Sequence, residues 1–488
     1  MSATETRVRR FCIALLALCL LAGCAVGPDF GRPDPPAVTR FGRDADPILT
    51  DTALGSAQHF SMGAKVAADW WRLFKSPKLD ALIAEAIAHN PGIEAAQASL
   101  RQSQDNLRSG YGIFYPELDA SAGASRQKYT AVKTDLDLPP SVFNLFTLSA
   151  SVSYALDIWG GERRLVEGLG AEVDVARAEL QATYLTLWVN IVTVAIAEAA
   201  YRAEIDATQH LLVATTEQVR LAEIEAQAGI VPFATVLALR GQRALFAAEI
   251  PPLQQKLTQS EDLLATLAGT TPAEWTLAPV ELADLTLPSD LPVSLPSDLV
   301  SQRPDLIAAL AVAHAASANI GVATAAMLPA VSLSSAFGAN NTAPSTLFAA
   351  EGNFWSFGAN ATTPLFEGGT LWFRRKAAIA GYQQAMAAYR QSVLAAFAQV
   401  ADALRGLDHD AATLRAENEA LASAEQAQHL VQANYQAGLT TYLDVLTADN
   451  HFNQAKIGQL QAIAVRYQDT VALFAALGGG WWNGKSGD

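Results

Sequence analysis

The chain has 488 residues, a net charge of −15 and three cysteines. An acidic chain without basic clusters excludes nucleic acid as a partner. No Walker-type phosphate loop, GxSxG elbow or HExxH helix occurs, so nothing in the sequence points to an enzyme.

In chain order the first feature is a positive patch, Arg7, Arg9 and Arg10, ahead of an apolar run from Phe11 to Ala22. A run of about a dozen residues falls short of the ~20 that a helix needs to span a bilayer. It reads as the core of a secretory signal. The run ends in Leu21-Ala22-Gly23-Cys24, which resembles a bacterial lipobox, with small residues for the signal peptidase and a thiol to carry diacylglycerol. Cys24 is thus the expected lipidation site, bearing an N-acyl and an S-diacylglycerol lipid, and no other cofactor is expected. Ala25 follows where an Asp would favour retention at the inner membrane, which points to the outer membrane. Cys12 and Cys19 leave with the signal, so the mature chain has no thiol for a disulfide, a metal or nucleophilic attack. Loss of three Arg and Glu5 with the signal takes the net charge from −15 to −17. Acyl chains contribute ~0.8 kcal/mol per buried methylene, so more than one anchors firmly in outer-membrane lipid.

No later segment reads as a transmembrane helix. The nearest, Leu185 to Ala197, is interrupted by Asn190 and followed by Glu198. A membrane crossing, if there is one, falls to strands.

Beyond the signal the chain repeats itself. Pro91 and Pro116 bracket one Ala-rich helical stretch, and Pro304 and Pro329 bracket another at the same separation. Gly160-Gly161 corresponds to Gly368-Gly369, each before a long helix. The segments 226–242 and 435–451, and 264–269 and 473–478, match at one common shift, so the chain reads as a duplication. Expected boundaries are a signal peptide at 1–23, a lipidated Pro-rich segment at 24–68, a first repeat at 69–269, a Pro- and Asp-rich linker at 270–298, a second repeat at 299–478 and a tail at 479–488.

Each repeat reads as helix, β-hairpin, long helix, turn, helix, with hairpins at about 118–156 and 330–364. Leu180, Leu187, Val194 and Tyr201 recur every seventh residue, and Tyr184, Ile191, Ile205, Leu212 and Val219 keep a second row. Val393, Val400, Leu407, Leu414 and Leu421 do the same in the second copy. A sustained seven-residue period is coiled-coil packing. The span from Gly161 to Ala228 gives roughly 100 Å of helix at ~1.5 Å per residue. By contrast, the helical stretch Asp408-His409-Asp410 reads as a solvated face.

The hairpins alternate. Phe146, Leu148, Ala150, Val152, Tyr154 and Leu156 face one way, and Thr147, Ser149, Ser151 and Ser153 the other. Its partner strand sets Asp119, Ser121, Gly123 and Ser125 against Leu and Ala. In the second hairpin Val331, Leu333, Phe337, Trp355, Phe357, Ala359 and Ala361 oppose Ser332, Ser334, Ser356, Gly358, Asn360 and Thr362. Such strands are the signature of a transmembrane β-barrel, and four per chain cannot close one. Several chains must pool them, and three would give twelve.

Several motifs then resemble one family. Cys24-Ala25-Val26-Gly27-Pro28-Asp29-Phe30, Asp69-Trp70-Trp71 with Leu79-Asp80, Ser301-Gln302-Arg303-Pro304-Asp305, Pro364-Leu365-Phe366-Glu367-Gly368-Gly369, Tyr435-Gln436-Ala437-Gly438 and the closing Ala475 to Trp481 look like the TolC-like outer-membrane factors. The closer likeness is to their lipoprotein branch in resistance–nodulation–division (RND) efflux systems. That resemblance implies a mainly α fold with a transmembrane β-barrel: a homotrimer with a twelve-stranded barrel above a periplasmic α-barrel of coiled coils. It implies a passive exit duct for substrates delivered by an inner-membrane RND pump and a periplasmic adaptor, and no enzymatic activity.

The resemblance also places the closed end of the duct at the helix turns. Asp444 matches the acidic residue of the constriction, and Tyr435 matches an aromatic that latches neighbouring coils. Thr447 stands where some members have a second Asp, with Asp449 two residues on, which leaves one or two acidic layers open. Gly229, Val231, Pro232, Gly438 and Thr440 form the tip where an adaptor would dock. Thr235 stands at the first-copy equivalent of Asp444, so the two turns differ. Two alternatives remain at this point: an outer-membrane channel of an ABC-type (type I) secretion system, and a structural trimeric periplasmic spacer.

Overall fold

The computed structural model describes residues 25–43, 45–53, 57–129 and 141–481. Cys24 and the expected signal peptide lie outside the described residues. The chain divides into two compact units. The first comprises the described residues up to Pro33, Ser99–Ala176 and Ala309–Tyr389, and the second comprises Asp34–Ala98, Arg177–Ala308 and the chain from Arg390 on.

A short strand β1 (His59–Met62) precedes helices α1 (Pro77–His89) and α2 (Pro91–Gly110). The Ser76 hydroxyl accepts from the Leu79 N–H, and Asn90 Oδ1 accepts from the N–H groups of Gly92 and Ile93. Pro77 and Pro91 each start a helix, where a missing N–H costs nothing. Strands β2 (Glu117–Tyr129) and β3 (Ser141–Leu156) follow, then helices α3 (Gly161–Gln227) and α4 (Phe233–Leu267). A linker strand β4 (Asp290–Val293) pairs in parallel with β1. The second copy runs α5 (Pro296–Gln302), α6 (Pro304–Ala325), β5 (Ala330–Asn341), β6 (Asn353–Thr362), α7 (Thr370–Gln436) and α8 (Tyr442–Ala476).

Lengths match between copies. Both α3 and α7 have 67 residues, and both α4 and α8 have 35. The copies differ inside α4, where Pro251 and Pro252 interrupt the hydrogen-bond ladder.

The unit containing the strands holds one antiparallel sheet of order β2-β3-β5-β6. Registered partners share a face, so Leu118–Val152–Ser335–Phe357 and Ala120–Ala150–Phe337–Trp355 form rows across all four strands. The adjacent row, Asp119–Ser151–Ala336–Ser356, lies on the opposite face. The apolar and polar faces expected for each hairpin therefore continue across the junction between copies. The outer edges of β2 and β6 have no partner among the described residues.

The same unit holds the residues after Cys24. The Val26 N–H donates to Trp159 O at 2.9 Å, and Phe30 stacks on His314 with ring centres 4.5 Å apart. Arg164 on α3 is buried and donates to Asp29 at 2.5 Å and to Glu167 at 2.7 Å. Gly27 (φ +97°) lies against Gly321 of α6, where a side chain on either would meet the other's backbone or Val26 O within 3 Å. Contrary to expectation, α6 is long and apolar enough by composition to cross a membrane, as is a stretch of α3. Its hydropathy comes from Ala and from Leu306, Ile307, Leu310, Val312, Ile320 and Val322, while its small residues allow close packing. Ala318 sits against Gly168 of α3, and His314 bonds Glu167 at 2.9 Å.

In the other unit the heptad of α7 is the packing seam: Val393, Val400, Leu407 and Leu414 are buried, with Ala396, Leu404 and Ala411 between them. The row in α3 is mixed, for Ile191, Ile205 and Val219 are buried while Leu180, Val194 and Tyr201 are half-buried. Trp70 stacks on Phe474 at 5.1 Å, Trp71 packs on Trp188 at 4.9 Å, and Phe74 lies 5.9 Å from Tyr467. A fully buried Phe such as Phe74 contributes roughly 1.5–3 kcal/mol. Arg303 grips Asp305 with two bonds and Ala476 O with a third, and Trp481 donates to Gln302 O. Asp410 departs from the expected solvated face: it is half-buried, because it turns towards α8.

Gly321→Ala would place a methyl 2.6 Å from Arg164 Cγ and 2.8 Å from Val26 O. Such overpacking costs ~1–3 kcal/mol. The variant should speed hydrogen exchange at residues 25–30, and unchanged exchange there would mean that the segment packs otherwise.

Candidate functional site

The two helix turns lie in the second unit. At the first, Gly229 takes φ +76°, its N–H reaches Ala226 O, and the Ile230 N–H reaches Glu225 O. At the second, Gly438 takes φ +73°, its N–H reaches Tyr435 O, and the Leu439 N–H reaches Asn434 O. Both are Schellman caps, with glycine in the left-handed position and two otherwise orphaned carbonyls satisfied. An apolar residue after the glycine ordinarily packs on the residue three before the cap. Here that residue is Glu225 or Asn434, so Ile230 and Leu439 stay 72% and 77% exposed. Phe233 and Leu443 are exposed beside them. Sequence reasoning did not single out these four, although polar residues at the two staple positions were the legible signal. Gly229, Pro232 and Gly438 are exposed, and Val231 and Thr440 are half-buried.

The turns differ in how the next helix starts. Pro232 precedes α4 with no side-chain cap. Thr441 starts α8 with a reciprocal capping box closed by Asp444. One Asp444 oxygen accepts from Thr440 Oγ1 at 2.6 Å, Thr441 Oγ1 at 2.6 Å and the Thr441 N–H at 2.9 Å. Bonds from Thr440 and Thr441 hold this exposed carboxyl below its usual range, so it stays ionised. Thr447 is exposed one turn on, its hydroxyl donating back to Leu443 O.

Asp449 is placed differently. It is 4% exposed, with one oxygen accepting from Gln428 at 2.8 Å and Gln432 at 3.5 Å, and the other from Gln218 at 3.3 Å. The Tyr442 hydroxyl donates to Gln218 Oε1 at 2.9 Å. Burial, with Asp449 nearby, pushes that phenol up and keeps its proton in place. Gln242 and Asn450 exchange amide bonds beside this group. Below it Val219, Ala222, Val236, Leu239 and Leu446 form an apolar cluster. The structure thus brings Asp449 together with Gln218, Gln428, Gln432 and Tyr442 inside one chain, apart from the exposed Asp444 and Thr447. Tyr435 packs edge-on against Tyr442, ring centres 5.3 Å apart. Its phenol is raised by burial and then by Glu225.

The family model for outer membrane efflux proteins matches residues 82–270 and 295–479, one segment in each copy. The chain belongs to the outer membrane efflux protein family. It is similar to the pyoverdine export outer membrane protein OpmQ of Pseudomonas aeruginosa, 31% identical over 450 residues, 88% of this chain and 92% of that one. Among solved structures, the outer-membrane channel OprN superposes with a TM-score of 0.85 at 26% identity, covering 94% of this chain and all of OprN. The outer membrane protein VceC of Vibrio cholerae gives 0.79 at 28% identity, covering 85% of this chain and all of VceC. This member of the family is an outer-membrane channel component of an efflux system, mainly helical with a four-stranded share of a β-barrel, and not an enzyme.

Asp449→Ala would leave three amide donors unmet, at ~1–3 kcal/mol for a buried unsatisfied group. Hydrogen exchange across 428–453 should quicken while that of the sheet stays unchanged. Equal protection in the variant would remove Asp449 from the support of the tip.

Proposed function

We propose that three copies form a homotrimer whose hairpins close a twelve-stranded barrel in the outer membrane, and whose long helices continue as a periplasmic duct. The observation that carries this reading is the largely apolar face that runs over four strands between two edges with no partner among the described residues. Lipid tolerates such a face and does not tolerate such edges. Two N-terminal lipid groups on Cys24 anchor the chain, and Val26 to Phe30 hold the anchor against α3 and α6.

The duct is passive. An inner-membrane RND pump delivers substrate, and a periplasmic adaptor docks on the turns around Gly229, Val231, Pro232, Gly438 and Thr440. Exposed Ile230, Phe233, Leu439 and Leu443 support a docking role, since apolar groups at a turn gain by being covered. A photo-crosslinker at Ile230 in cells should capture an RND-type adaptor. An ABC-exporter adaptor would replace the RND assignment, and no capture would remove the turns as the docking site.

Asp444, one from each copy, acts as a charged ring at the closed end. Its carboxyl also caps α8, so charge and cap need separate tests. Asp444→Asn keeps an acceptor for the cap and removes the charge, while Asp444→Ala removes both. Cation selectivity in planar bilayers should fall to a similar extent in both variants. A loss in Asp444→Ala alone would make Asp444 a structural cap only.

A further inference from the structure

Asp410 lies on α7, in the unit where α7 packs against α8. One of its oxygens is fully buried with no hydrogen-bond donor in reach. Asp469 of α8 lies within hydrogen-bonding reach of it. Two ionised carboxylates offer only acceptors, so they bond only when one of them carries a proton. The chain makes room for the approach: Gly406, one turn before Asp410, is the place where a Cβ would lie 2.9 Å from Asp469 Oδ2. First-copy residues at the corresponding places are Tyr201 and Ser260, so the pair belongs to the second copy alone.

The charged groups around the pair are few. Arg466 on α8 faces Asp410 and also donates to Gln58 Oε1 at 3.0 Å and Thr50 Oγ1 at 3.3 Å, ahead of β1. Next to Thr50, Asp51 is held by Arg415 at 3.1 Å. Along α7, the neighbouring Arg405 donates to Ala45 O, and His409 is exposed. Tyr467 follows Arg466 on α8 and donates to Leu285 O. On its other side Asp469 borders a cavity of about 670 Å3 that also takes in Arg303, Asp305 and Asp402, which gives protons a way to the pair.

We propose that Asp410 and Asp469 share one proton across the α7–α8 seam, and that this pair makes the packing of the helices bearing the Thr440–Asp444 turn tighter in acid and looser above neutrality. The proposal is independent of the gate reading of Asp444. Burial first, and then Asp469, push the Asp410 carboxyl up to about 7. An acid that binds its proton more tightly folded than unfolded stabilises the fold while protonated. That contribution falls as pH rises from the ordinary carboxylate range to about 7, and is flat above it.

The test uses the full-length protein in detergent. Infrared difference spectra between pH 5.5 and 8.5 should contain a protonated-carboxyl stretch that vanishes in Asp410→Asn and titrates at lower pH in Asp469→Asn. Thermal midpoints should decline with rising pH in the unaltered protein, and the decline should be shallower in both variants. Gly406→Ala keeps every titratable group and pushes Asp469 away, so it should move the titration of that band to lower pH even if an Asn variant folds poorly. Absence of the band in the unaltered protein, its survival in Asp410→Asn, or its unchanged titration in both Asp469→Asn and Gly406→Ala would overturn the proposal.

Discussion

Lipid hydrocarbon offers no hydrogen bonds, and the sheet of this chain has two edges that need them. An unpaired backbone group in that environment costs several kcal/mol, and each outer strand carries a row of them. No folding within one chain can remove the cost, because β2 and β6 are separated by the two strands between them. Closure by further copies can. The requirement explains why the alternation holds register from hairpin to hairpin: a slip of one residue in any strand would turn its apolar side chains into the lumen.

A complementary device operates at the helix turns. Coiled-coil rows of Val, Leu and Ala give α7 and its partners adhesion but little that fixes one helix pair against the other. Near the tip the rows give way to a polar layer in which Asp449 collects three glutamines and Tyr442 bridges to one of them. Buried polar groups of this kind tolerate few alternative arrangements, since each lost bond leaves an unmet donor or acceptor. Exposed Asp444, by contrast, bonds only within the turn that starts α8, to Thr440 and Thr441.

Much of this was legible in the sequence, and the exceptions have physical causes. Strand faces followed from period two, because each residue's side is fixed by parity. The seam of α7 followed from Val393, Val400, Leu407 and Leu414, all buried. The rows of α3 were less faithful, since that helix packs against different neighbours along its length and its buried side turns with them. Asp410 read as part of a solvated face and Asp449 as a candidate second acidic layer of the gate, for a single sequence does not disclose which polar side chains a second helix brings opposite. The apolar α6 shows the reverse ambiguity: Ala, Leu, Ile and Val raise hydropathy in a lipid-crossing helix and in a closely packed one alike.

Equal arms carry a further consequence. With 67 residues in α3 and α7 and 35 in α4 and α8, the two capped turns fall at matched points of a seven-residue repeat. Inserting a few residues into one arm alone would rotate its apolar stripe out of the seam and carry its turn past its counterpart. Only insertions close to whole helical periods, such as about seven or eleven residues, added to all four helices together, preserve both. The reach of such a duct is therefore quantised, and evolution can lengthen or shorten it only in coordinated steps.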